Sequence, residues 1–168
     1  INDNLSLTGR AMTDFYTDRR QESIAVGGVN ESRYSEYTRQ LQENNLDLYL
    51  NFNKDINEDL SLNGFVGVNQ RTRDYKRLGA FTLGGLNTPG LYTVGNGVDG
   101  YQIDDYESHK QVNSILGSMS FGYQRTFYVD ITGRNDISST LPDENNSYLY
   151  PSATASYIFS EGMDSDVL

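Results

Sequence analysis

Apolar and polar residues alternate in six segments of this chain, the period-two pattern of β-strands whose two faces meet different surroundings. In the clearest segment Leu46, Leu48, Leu50 and Phe52 share one face, and Asn45, Asp47, Tyr49, Asn51 and Asn53 share the other. The next sets Leu60, Leu62, Gly64, Val66 and Val68 against Ser61, Asn63, Phe65, Gly67 and Asn69, after a short polar turn at Lys54–Asp59. Ile115, Gly117, Met119, Phe121 and Tyr123 form the apolar row of a fourth segment. A turn centred on Gln124–Arg125 leads from it to the row Phe127, Val129, Ile131 and Gly133. Leu149, Pro151, Ala153, Ala155, Tyr157 and Phe159 make the sixth row, and Leu5, Leu7, Gly9, Ala11 and Phe15 a less regular first one. The pattern predicts strands over residues 4–17, 41–53, 60–72, 111–123, 127–138 and 148–160. A helical spacing of Tyr34, Tyr37, Leu41 and Leu48 competes over Tyr34–Leu50. The alternation from Leu46 overrides it and leaves room for one helical turn before that point.

The connections alternate as well. Short turns follow the second and fourth segments, and long polar stretches, 18–40, 72–110 and 138–147, follow the first, third and fifth. Bacterial outer-membrane barrels are built this way, with short periplasmic turns, long extracellular loops and strands of about 9–11 residues across the bilayer. The expected fold class is therefore all-β: antiparallel up-and-down strands from a transmembrane β-barrel, with localisation in the cell outer membrane and the lipid bilayer as a partner. Phe52, Phe121, Tyr123, Phe127, Tyr157 and Phe159 lie on the apolar rows beside the short turns or near the C-terminal end. Six aromatics at one level read as a membrane-interface girdle, because their rings favour the headgroup region. The opposite face carries Arg10, Asp47, Asp130 and Arg134, which fit a watery lumen better than the core of a sandwich.

Composition narrows the alternatives. With 23 acidic and 13 basic side chains the formal charge is −10, and no basic patch is present to displace the counterions of a nucleic acid. Cysteine is absent, and the single His109 provides neither a zinc site nor a choice of catalytic base. Only 36% of the residues are hydrophobic, so a water-soluble version would have a thin core. That version, a soluble secreted β-sheet carbohydrate-binding module, is the alternative reading.

From Phe127 the chain reads Phe-Tyr-Val-Asp-Ile-Thr-Gly-Arg-Asn-Asp-Ile-Ser-Ser-Thr-Leu-Pro, and from Asn145 Asn-Asn-Ser-Tyr-Leu-Tyr-Pro-Ser-Ala-Thr-Ala-Ser-Tyr-Ile-Phe-Ser-Glu. This resembles the barrel of SusC/RagA-type TonB-linked outer-membrane transporters of Bacteroidetes. In that family a strand ending in Arg-Asn-Asp leads through a loop to an aromatic-Tyr-Pro-Ser strand and a Phe/Ile-Ser-Glu turn. The match is specific over Arg134–Ser139 and Tyr148–Glu161. The resemblance implies a plugged barrel of about 22 strands that imports glycan oligosaccharides or peptides. A SusD-like lipoprotein would cap it, and TonB-ExbB-ExbD would energise it through parts of the protein not present here. No plug, TonB-contacting segment or terminal aromatic strand is recognisable, so about six strands of a larger barrel are expected.

Candidate chemistry concentrates in 72–110, which holds 7 of the 16 glycines between Gly79 and Gly100. Tyr92, Asp99, Tyr101, Asp104, Asp105 and Tyr106 are the substrate-contact candidates, since no Lys or Arg occurs from Leu78 to His109. Aromatic rings with carboxylates and no cations suit a sugar. Asp99, Asp104, Asp105 and Glu107 are oxygen-rich enough for calcium but match no EF-hand spacing. No other cofactor and no catalytic residue is expected, and the chain is read as a non-enzyme.

Overall fold

The computed structural model describes residues 4–159. Among them are six strands, β1 (Leu5–Ile24), β2 (Arg33–Asp55), β3 (Leu60–Thr82), β4 (Tyr101–Tyr123), β5 (Phe127–Ser138) and β6 (Ser147–Tyr157). They form one antiparallel sheet in sequence order, β1-β2-β3-β4-β5-β6, so every connection is a hairpin. Two single 3-10 turns, Val94–Asn96 and Asp143–Asn145, interrupt the longer connections.

Several boundaries differ from those the alternation predicted. The connection expected over 18–40 shrinks to 25–32, that over 72–110 to 83–100, and that over 138–147 to 139–146. The helical turn allowed before Leu46 is not found, because Tyr34–Leu50 belongs to β2. The cause is the same in the β1–β2 and β3–β4 hairpins. Where both faces of a strand carry polar side chains the hydrophobic period vanishes, yet backbone pairing continues, sustained by charged cross-strand pairs. β6 stops at Tyr157, short of the expected residue 160, and Ser160 and Glu161 of the resembling motif lie outside the described residues.

The chain divides into two compact units. The first comprises Ile1–Met12, Asn44–Thr72 and Lys110–Leu168. Its burial is inverted relative to a soluble sheet: Leu46 and Leu48 are 51% and 47% exposed, while Asp47 between them is 8% exposed. Ile115 and Ser114 repeat the contrast at 61% and 4%. Register is regular from Val112↔Ser138 to Tyr123↔Phe127, and from Phe127↔Tyr157 to Ile137↔Ser147. The β4–β5 turn places Gln124 and Arg125 at φ 50° and 54°, closed by Thr126 N–H donating to the Tyr123 carbonyl at 3.0 Å. Both central residues adopt the left-handed conformation of a type I′ turn without the glycine that would relieve it.

The second unit comprises Thr13–Glu43 and Arg73–His109. It contains the buried large apolar residues of the described chain, Tyr34, Leu41 and Leu86. Its 83–100 connection is internally bonded. Buried Asn96 donates through Nδ2 to the carbonyls of Thr88 (2.9 Å) and Leu91 (2.7 Å), and accepts at Oδ1 from the Thr88 N–H (3.0 Å). Leu86 N–H donates to Ser32 Oγ at 2.8 Å, tying this connection to the one between β1 and β2.

Candidate functional site

In the first unit a polar network crosses five strands on the face opposite the apolar rows. Arg10 of β1 donates from Nε (2.9 Å) and Nη2 (2.8 Å) to Asp47 Oδ2 on β2. The other oxygen of Asp47 accepts from Asn69 Nδ2 of β3 at 2.7 Å. Arg134 of β5 continues the chain, donating to Ser114 Oγ on β4 (2.8 Å), to Asn69 Oδ1 (3.5 Å) and to Asp136 Oδ1 (2.6 Å). Two guanidiniums and two carboxylates balance in charge, so the covered Asp47 and Ser114 are satisfied by part-exposed partners side by side. Tyr49 adds its ring to Arg10 at 6.0 Å and meets Phe65 edge-on at 5.4 Å. Of the four charges expected on this face, Arg10, Asp47 and Arg134 are brought together. Asp130 is apart and accepts a long 3.4 Å bond from Thr154 Oγ1.

On the apolar face, Tyr123, Phe127 and Tyr157 occupy one register row of β4, β5 and β6, and the Phe127 and Tyr157 rings lie 4.6 Å apart. Phe121 sits one row inward, opposite Val129, and Phe159 just past the end of β6. Phe52, on β2, borders the groove lined by Val66, Met119 and Ile131. The tight β2–β3 and β4–β5 turns lie side by side, joined by Gln124 N–H donating to the Asp59 carbonyl at 2.7 Å.

In the second unit the substrate-contact candidates separate. Tyr92 and Asp99 are on the 83–100 connection, Tyr92 with its ring 6.5 Å from Tyr34 and Asp99 against Gly84. Tyr101, Asp104, Asp105 and Tyr106 are not on a loop, as expected, but on β4. The surface is also not free of cations, because antiparallel pairing returns Lys76 and Arg77 of β3 to it. Arg77 Nη2 meets Asp104 at 2.9 Å and its guanidinium lies 5.8 Å from the Tyr106 ring centre; Lys76 pairs with Glu107. Asp104 and Glu107, three apart on a strand, project to opposite faces, each toward its own cation, so the acids proposed for calcium do not converge. His109 Nδ1 faces Asp74 Oδ1 at 2.6 Å.

A compact charge cluster in this unit escaped the sequence reading. Glu36 accepts from Gln21 Nε2 (3.0 Å), from the Tyr34 hydroxyl (2.8 Å) and from Arg19 (2.5 Å). These donors, Gln21 first, pull the Glu36 carboxyl down to about 2, while burial pushes the Tyr34 phenol up. The missed signal was pairwise: complementary charges at positions mirrored about a hairpin, such as Arg19 with Glu36 and Lys76 with Glu107.

No known family model matches the sequence, and no curated protein matches it significantly. Solved structures do. The chain superposes on the RagAB peptide transporter with a TM-score of 0.76 at 17% identity, over 92% of this chain and 18% of that one. The chain has the fold of one stretch of that transporter. The RagAB peptide importer in its closed-closed and open-open states gives TM-scores of 0.76 and 0.70 at 17% and 16% identity, with the same coverage. The resemblance to SusC/RagA-type barrels is thus met at the level of fold, and the chain spans less than a fifth of the length of these neighbours.

Proposed function

We propose that the chain forms part of the wall of an outer-membrane active transporter, not an enzyme. Its apolar rows face lipid and its polar network faces the lumen. The observation that carries this is the inverted burial of the first unit, where leucines and isoleucines lie bare while Asp47 and Ser114 are covered. Fully burying one such side chain is worth about 1.5–3 kcal/mol, and Leu46, Leu48, Val66, Val68, Ile115 and Ile131, each about half exposed, forgo about half of it. Their combined loss in water would rival the whole stability of a domain, about 5–15 kcal/mol. In a bilayer the loss disappears. Tyr123, Phe127, Tyr157 and their neighbours then stand at the interface as the girdle.

The cargo is read as a peptide in preference to an oligosaccharide. The superposing transporters are named for peptides, and the argument for sugar rested on a cation-free surface that Lys76 and Arg77 occupy. A SusD-like surface lipoprotein and energy from TonB-ExbB-ExbD are carried by the resemblance of Arg134–Ser139 and Tyr148–Glu161.

Single cysteines placed along Phe127–Ser138 of the full-length protein, in a cysteine-free background, test this reading in intact outer membranes. Positions 128, 130, 132 and 134 should react with a charged, membrane-impermeant maleimide, and positions 127, 129, 131 and 133 should not. Uniform reactivity along the strand would remove the lipid-facing assignment.

A further inference from the structure

In the second unit a cavity of about 340 Å³ opens between Phe15, Gln40, Gln42 and the two cross-strand pairs Asp74–His109 and Lys76–Glu107. Side chains on a strand alternate between faces, and each of these stands an even number of positions from an apolar-row residue of its own strand: Phe15 from Ala11, Gln42 from Leu46, Asp74 from Val68 and His109 from Ile115. The register of β3 and β4 is unbroken over that interval, because Gln70–Asn113, Asp74–His109 and Lys76–Glu107 are matched pairs at steps of four and then two residues. The cavity therefore opens on the face of the apolar rows, opposite the Arg77–Asp104 pair.

Its charged groups are already answered. His109 Nδ1 lies 2.6 Å from Asp74 Oδ1 and Lys76 is paired with Glu107, so neither a lone cation nor a lone carboxylate is presented. What is left is neutral hydrogen-bonding capacity beside an aromatic plane. Gln40 and Gln42 each carry two amide donors and a carbonyl acceptor, Gln40 makes no side-chain hydrogen bond among the described residues, and Phe15 is 63% exposed. A sugar matches both parts, since its hydroxyls donate and accept and the C–H face of its ring packs on an aromatic plane. Position selects the source of that sugar. Gln42 is four positions from Leu46 and His109 six from Ile115, about 14–20 Å of strand, or about 10–14 Å along the membrane normal at a tilt of about 45°. The polar zone of a bilayer is about 5–7 Å deep on each side. A phosphate headgroup falls short of the cavity, and a headgroup of several sugar rings reaches it.

We propose that this cavity seats the saccharide headgroup of a membrane glycolipid, with Phe15 as the stacking plane and Gln40 and Gln42 as partners of its hydroxyls. The Asp74–His109 and Lys76–Glu107 pairs form the far wall and spend their charge on each other. The proposal rests on the reading of the apolar rows as lipid-facing, because only then does this face meet headgroups. Cargo in the lumen meets the other face, where Arg77 and Asp104 stand.

The full-length protein in detergent is mixed with equimolar phosphatidylglycerol, digalactosyldiacylglycerol and a deep-rough lipopolysaccharide, and the lipids retained after gel filtration are counted by native mass spectrometry. At least one glycolipid should be retained about tenfold or more over phosphatidylglycerol, a difference of about 1.4 kcal/mol. Phe15→Ala and the double variant Gln40→Ala/Gln42→Ala should each bring that ratio toward one. Phe15→Tyr should preserve it, and Arg73→Gln, on the face of Arg77, should leave it unchanged; the mobility of unheated samples on gels verifies that each variant is folded. Equal retention of the three lipids, or a preference for phosphatidylglycerol, overturns the saccharide seat, as does a glycolipid preference that survives loss of Phe15 and of both glutamines. If that happens while cysteines at 129 and 131 stay shielded from the charged maleimide, the lipid-facing reading stands without the seat. If 129 and 131 react as freely as 128 and 130, both fall.

Discussion

Asp47 is a carboxylate whose side chain is 3% exposed, on a strand whose leucines are bare, and its partners set an unusual order of mutational costs. Asp47→Ala removes bonds from Arg10 at 2.8 and 2.9 Å and from Asn69 at 2.7 Å. Hydrogen bonds to a charged group are worth about 1.5–3 kcal/mol, and relief from desolvating the carboxylate offsets part of that. A net loss of about 2 kcal/mol is expected, roughly a 30-fold change in the folded-to-unfolded ratio. The Arg10 left behind is 55% exposed and is solvated at once. Arg10→Ala works the other way: it strands a covered carboxylate with only neutral donors, and an uncompensated buried charge costs more than a lost bond. Arg10→Ala should therefore be the more damaging single substitution, and Arg10→Ala/Asp47→Ala should be milder than Arg10→Ala alone. Urea unfolding of the full-length protein in lipid vesicles, with Asp130→Ala as a near-neutral control, reads this order. Equal costs for both single variants, or a double variant worse than either, would refute the reasoning.

The Glu36 carboxyl, held near 2 against an unfolded value of 4.5, stabilises its cluster fully above pH 4.5 and loses that contribution as pH falls toward 2. Hydrogen exchange of the β1–β2 hairpin should accelerate across that window in the native protein, and Glu36→Gln should flatten the dependence. Replacing Gln124–Arg125 by Asn-Gly should stabilise the β4–β5 turn by about 1 kcal/mol, since both residues sit at positive φ; an unchanged urea midpoint would contradict this. Asn96→Ala removes the three side-chain bonds that Asn96 makes within the 83–100 connection and should make it more open to limited proteolysis, whereas Thr93→Ala, whose side chain makes no capping bond there, should leave it resistant.

What the sequence made legible was wherever one face meets an apolar phase. Leu46–Phe52 and Phe127–Gly133 alternate because lipid or core sorts their side chains, and the strands and the Gln124–Arg125 turn could be placed from that alone. Between Arg73 and Thr82 nothing sorts them. Asp74, Lys76 and Arg77 read as a polar loop, and their partners Glu107, His109 and Asp104 stand about thirty residues away. The same blindness made the Leu78–His109 stretch look free of cations.

The two edges of the sheet bear on the transporter reading independently of its faces. β1 and β6 each have one neighbour, so each leaves a row of backbone N–H and C=O groups unpaired among the described residues. In water such edges are tolerable; β6 even carries Pro151, which is confined to edges or bulges when a sheet stands alone. In hydrocarbon each unpaired group costs several kcal/mol, and only closure removes the cost. On the transporter reading the exposed leucines face lipid, and lipid in turn requires a pairing strand at each edge. In the RagAB chains, of which this stretch matches 18%, the remainder provides room for them. Pro151 lies opposite Gly133, and a Cβ built on Gly133 would meet nothing within 4 Å. A pairing strand beyond β6 would therefore meet a ladder that already lacks one donor, at a row where β5 carries no side chain. Cysteine pairs placed across β6 and the segment that follows it in the full-length protein should crosslink with period two, and should skip the Pro151 row if a bulge sits there.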